Sequence, residues 1–90
     1  MKQYFINPEV IVSELEGAKT IFNPNTGLYF GLDEVGTKAW DLIVEGPINL
    51  EELVVKITAE FDVSKVLLES DLFHLLEQLC KEDLIHVYDI

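Results

Sequence analysis

Arginine is absent from this 90-residue sequence, and its six lysines face 17 acidic residues, for a formal net charge of −11. Nucleic-acid binding takes its phosphate contacts from Lys and Arg, and Arg is the commonest base reader, so a DNA-binding role is disfavoured. The only cysteine, Cys80, allows neither an internal disulfide nor a cysteine-built metal cluster, in keeping with a reducing compartment. No apolar run approaches the length needed to cross a bilayer. Met1-Lys2-Gln3-Tyr4 leads into a Pro-containing segment and a strand rather than into an apolar signal core, and a cytoplasmic location is expected. Ninety residues suffice for one domain, spanning 1–90, with little room for a second active-site unit. The acidity serves solubility, and its sharper reading is attraction for a basic peptide or protein.

What is present reads as strands followed by helices. Residues 10–15 are apolar and β-branched, residues 18–23 follow Glu16-Gly17, and that glycine can take the positive φ of a tight hairpin. Pro24 and Gly27 make a second turn, after which Leu28-Tyr29-Phe30-Gly31-Leu32 returns as a third strand. Tyr29 and Phe30 must then point to opposite faces, one into the core and the other half-exposed or awaiting a partner.

Asp33 stands where an N-cap is wanted, and Val35, Ala39, Leu42 and Ile43 recur at helical spacing until Gly46-Pro47. Asn49 with Glu52 matches a capping box and opens a second helix to about Phe61. Ser64 caps a third, longer helix with a stripe of Leu68, Leu72, Leu75, Leu76 and Leu79. Asp83 can end it in the left-handed conformation, leaving Ile85-His86-Val87-Tyr88 as an extended tail. The order β-β-β-α-α-α is that of an α+β domain. A meander leaves a free sheet edge, and the outer edge of the third strand should run beside the third helix if that helix folds back. Such a strand-and-helix pair suits capture of an extended peptide.

Catalytic chemistry is hard to assemble from these residues. Cys80 lies about 240° around the helix from His74, so the two face apart, and a buried structural thiol is the simpler account. Asp71, His74 and Glu77 share a face but lack the further His or Cys that structural zinc wants. The acidic pairs Glu51-Glu52 and Glu82-Asp83 diverge around a helix and read as solvated charges. Gly36, inside the first helical turn, costs about 1 kcal/mol relative to Ala and is either loosely tolerated or needed for close approach of another backbone or helix.

One series of short motifs runs through nearly the whole chain: Asn23-Pro24, Thr26-Gly27, Tyr29, Leu32, Gly36, Trp40-Asp41-Leu42, then Asn49-Leu50-Glu51-Glu52-Leu53, Phe61-Asp62-Val63, Asp71-Leu72 and Leu84-Ile85. In order and spacing it resembles the pyrroloquinoline quinone biosynthesis protein D-like family, the recognition elements of ribosomally made, modified peptides. Asp33 replaces the family's usual Asn and Asp83 a frequent Gly, both keeping the cap chemistry.

The resemblance implies a winged-helix-like fold, no catalysis and no cofactor or metal. It implies a bacterial adaptor that binds the leader segment of a precursor peptide, of the stand-alone lasso-peptide type. Its partners would be a leader peptidase of transglutaminase-like fold and an asparagine-synthetase-like cyclase. The leader would lie antiparallel to the third strand, on Leu28, Tyr29, Phe30, Gly31 and Leu32. The wall would be the third helix, through Leu68, Asp71, Leu72, Leu75 and Leu76. A charge at Leu72 or Leu76 is therefore expected to weaken leader binding, unless the leucine is core and its loss unfolds the domain. The competing readings are a peptide chaperone of quinone cofactor assembly or another peptide-modifying pathway, a winged-helix transcriptional module, and a small enzyme.

Overall fold

A computed structural model describes residues 1–89. The chain runs β1 (Lys2–Ile6), β2 (Ile11–Leu15), β3 (Ala18–Asn23), β4 (Leu28–Gly31), α1 (Glu34–Val44), α2 (Leu50–Thr58), α3 (Lys65–Lys81) and β5 (Ile85–Asp89). The α+β class and the three helices agree with the sequence; the sheet layout does not. Instead of one N-terminal sheet there are two, a three-stranded antiparallel sheet in the order β2-β3-β4 and a two-stranded pair of β1 with β5. The C-terminal tail is thus a paired strand, and Lys2–Ile6 is a strand that local patterning did not reveal. Its partner lies at the far end of the chain, Tyr4 opposite Val87 and Ile6 opposite Ile85. Tyr4 also exchanges backbone hydrogen bonds of 2.8 and 3.1 Å with Ile48, which ties β1 to the segment before α2.

Each helix begins at its expected cap. Asp33 accepts from the Gly36 N–H at 2.7 Å, Asn49 and Glu52 form the reciprocal capping box, and Ser64 accepts from the Leu67 N–H. A Cβ on Gly36 would lie 3.1 Å from Asp33 Oδ1 and 3.3 Å from Leu32 Cδ2. The crowding that favours glycine here comes from the helix's own cap and the residue before it, not from another backbone or helix. At the β2–β3 turn both Glu16 and Gly17 have positive φ, 54° and 83°, as a two-residue hairpin turn requires of both central residues.

The inner face of the three-stranded sheet packs on the helices. Ile21 and Leu32 join Trp40, Ile43, Leu53, Ile57, Leu72, Leu76 and Leu79 in one core, and Lys19 on that face pairs with Asp41 of α1. Two buried asparagines then pin the end of α3 to the sheet. Asn23 donates from Nδ2 to the carbonyls of Glu82 (3.2 Å) and Asp83 (3.4 Å) and accepts from the Asn25 N–H at 2.9 Å. Asn7 donates to the Asp83 carbonyl at 2.8 Å. They hold Asp83 in the left-handed conformation, φ 59°, that lets the chain leave α3 for β5. Asn23→Ala strands these buried groups and is expected to cost about 2–3 kcal/mol. Urea unfolding should show a lower midpoint with an unchanged slope; an unchanged midpoint would mean the clamp carries no stability.

Candidate functional site

Strand β4 is paired with β3 on one side only. Which of its backbone groups face the open side follows from one bond: Leu32 donates to the Lys19 carbonyl at 2.8 Å. Continuing the register Gly31↔Thr20 and Phe30↔Ile21, Leu32 points its N–H, and Phe30 its N–H and C=O, at β3, while the Lys19 N–H donates to Thr37 Oγ1. Antiparallel alternation then turns the N–H and C=O of Tyr29 and Gly31 outward, to the free edge.

Beside that edge lies a cleft of about 580 Å³ between β4 and the N-terminal half of α3. Phe30, Gly31 and Leu32 form the strand side; Val35 and Gly36 of α1 and Val63 of the α2–α3 loop close its ends. On α3 two rows line it, each stepping by one helical turn. Leu68 and Leu72, 4% and 1% exposed, form the floor, and Leu67, Asp71 and Leu75 form the rim. The lining is apolar except for Ser64 and two carboxylates, Asp33 and Asp71, and contains no lysine. Asp33 is occupied in capping α1.

The cleft brings together Phe30, Gly31, Leu32, Leu68, Asp71, Leu72 and Leu75 of the residues expected from the sequence. Leu76 is not among its walls: with no exposed surface it belongs to the core beneath. Leu28 and Tyr29 also lie outside the walls, 56% and 72% exposed, though Tyr29 contributes backbone to the edge. Of the pair Tyr29 and Phe30, neither is fully core. Phe30 is half-buried in the cleft and Tyr29 packs on Phe22 in a tilted arrangement with ring centroids 4.6 Å apart. Leu67 is a lining residue that the sequence reading passed over, and Val35 and Val63, read only as part of a helical stripe and of a motif, line the cleft as well. The spacing Leu67-Asp71-Leu75 was the available signal for the rim.

Outside the cleft several titratable groups are buried or paired. Burial pushes the Cys80 thiol up, away from the thiolate a nucleophile needs. The His74 ring engages the Ser70 carbonyl at 2.8 Å. Burial likewise raises the Tyr4 phenol, and the N-terminal ammonium, 2.8 Å from Asp89, lowers that carboxyl. No group of three or more His, Cys, Asp or Glu placed to hold a metal occurs among the described residues, and no described helix is long and apolar enough to cross a membrane.

The family model for coenzyme PQQ synthesis protein D (PqqD) matches residues 19–85. The chain belongs to the PqqD family. The matched span begins in β3 and ends at the first residue of β5, so it includes both walls of the cleft. Among solved structures, this PqqD-family chain is 34% identical to TbiB1 in complex with the TbiA(beta) leader peptide, covering 96% of this chain and 99% of that one at a TM-score of 0.83. A lasso peptide synthetase B1 complexed with the leader peptide is 17% identical, over 92% of this chain and 96% of that one, at a TM-score of 0.78, and shows the shared fold. No curated protein matches this chain significantly.

Proposed function

We propose that this chain is a non-catalytic adaptor that binds the leader segment of a ribosomally made precursor peptide by strand addition to β4. The observation that carries the reading is the coincidence of a free edge, at Tyr29 and Gly31, with an apolar cleft immediately beside it. Main-chain hydrogen bonds to the edge give register and affinity for any extended peptide, while the cleft selects the side chains that enter it. A 34% identical relative that covers the same length and is complexed with a leader peptide supports this ligand class, and the lasso-peptide pathway is the one that the motif series implies, in keeping with a lasso peptide synthetase B1 of the same fold.

In that pathway residues 1–90 act as one winged-helix-like peptide-binding unit in the bacterial cytoplasm. Leader residues lie along Leu28 to Leu32, with apolar side chains against Leu67, Leu68, Leu72 and Leu75. The adaptor presents the bound precursor to a leader peptidase of transglutaminase-like fold and an asparagine-synthetase-like cyclase. The absence of arginine and the charge of −11 weigh against a transcriptional role for the same fold.

A synthetic leader from the precursor gene adjacent to this chain's own should bind with sub-micromolar to low micromolar affinity, about −8 kcal/mol, without metal or nucleotide. Titration calorimetry checks this directly, and a folded domain that gives no heat with the cognate leader would sink the proposal.

A further inference from the structure

Three polar side chains line the cleft, and two of them are already engaged. Asp33 caps α1 through the Gly36 N–H at 2.7 Å, and Ser64 caps α3 through the Leu67 N–H at 3.4 Å. That leaves Asp71, which is exposed and enters none of the ion pairs found among the described residues. It stands between two leucines on the rim, Leu67 one helical turn before it and Leu75 one turn after, beside the apolar floor of Leu68 and Leu72.

Spacing relates this row to an extended ligand. Residues one turn apart on a helix rise about 6.0 Å, and every second residue of a strand advances about 6.8 Å. A strand added at Tyr29 and Gly31 sends every second side chain into the cleft, so three of them meet Leu67, Asp71 and Leu75 in turn. We propose that Asp71 is a specificity-determining residue and that the leader carries Lys or Arg opposite it, with an apolar side chain two positions away on either side. The inference rests on the leader-binding reading above and names the side-chain pattern that the cleft selects.

A cation suits this place for two reasons. The added strand takes the Asp71 carboxylate partly out of water among apolar walls, and a charged donor replaces the lost hydration best. Lys or Arg also lays an aliphatic stem over Leu68 and Leu72 while its head reaches the rim, which a short polar side chain does not. No lysine lines the cleft to compete, and the chain's charge of −11 adds to the attraction. An acidic leader residue at the same position is repelled, so the carboxylate excludes wrong leaders as well as holding the right one.

The test uses the full chain and its cognate leader peptide in fluorescence-polarisation titrations. Each Lys and Arg of the leader is replaced in turn by Gln. One replacement, at a residue with apolar neighbours two positions away on both sides, should weaken binding at least fivefold. Asp71→Asn should weaken binding of the native leader by a similar factor, yet cost nothing further against that Gln leader, because both changes break one contact. Asp71→Lys should bind a leader with Glu at that position at least fivefold more tightly than the wild-type chain does. Asp71→Ser serves if Asp71→Asn melts below wild type. A cognate leader with no Lys or Arg in such a setting overturns the proposal, as does wild-type affinity in Asp71→Asn, or two losses that multiply. Failure of the wild-type chain to bind its leader at all is a separate result, which removes the function beneath it.

Discussion

Leu67→Lys is expected to abolish high-affinity leader binding and leave the melting temperature almost unchanged, whereas Leu76→Lys should leave no folded protein. Both leucines lie on α3, and their burial separates them. Leu67 is 67% exposed on the rim of the cleft, while Leu76 has no exposed surface. Exposed substitutions away from special features stay within about 0.5 kcal/mol of wild type. In the bound state, however, lysine at 67 removes an apolar wall and sets an ammonium against ligand side chains, a loss of about 2 kcal/mol or roughly 30-fold in Kd. At Leu76 the same ammonium would be buried without a partner, at a cost of about 5 kcal/mol or more, comparable with the whole stability of a domain this small. Leu72 has both properties, lining the cleft while only 1% exposed, so its lysine variant should unfold and cannot report on binding. Circular dichroism melts beside fluorescence-polarisation titrations separate these outcomes. A Leu67→Lys variant that binds leader as wild type does would remove the rim from the site.

Why the sequence reading named Asp71 and Leu75 but not Leu67 of the cleft's rim follows from what each signal encodes. The stripe Leu68, Leu72, Leu75, Leu76 and Leu79 identified α3 as amphipathic, yet spacing alone does not say how wide the buried sector is. Burial narrows it to Leu68, Leu72, Leu76 and Leu79, and the cleft takes Leu67, Asp71 and Leu75 from the neighbouring sector. Caps were legible because they are local: Asp33, Asn49 and Ser64 each act within three residues. The β1–β5 pair was not, since nothing near Lys2–Ile6 announces a partner at Ile85–Asp89. The Asn7 and Asn23 clamp escaped for a related reason. Asn7 stands before Pro8 and Asn23 before Pro24, and only the tertiary structure brings their amides to the carbonyls at the end of α3.

The strand side of the site yields the second large effect, a contrast between two adjacent prolines. Proline lacks the N–H, and within sheets it is tolerated only where that group would face solvent on an edge strand. The Leu32-to-Lys19 bond and the register with β3 turn the Gly31 N–H to the free edge and that of Phe30 toward Ile21. Gly31→Pro should therefore spare the sheet and act on the ligand, because it removes a donor and puts a ring where the incoming backbone must approach. The expected loss is about 2 kcal/mol, roughly 30-fold in Kd. Phe30→Pro instead removes a bond inside the sheet along with a half-buried ring of the cleft, so it should lower the melting temperature as well as binding. Gly31→Ala is the control: it keeps the N–H, and its Cβ would meet nothing within 4 Å, so a protein that binds through this edge should accept it with little loss. If Gly31→Pro stays folded and binds the leader with wild-type affinity, β4 is not the docking edge, and the outer edge of β2 becomes the remaining one in this sheet.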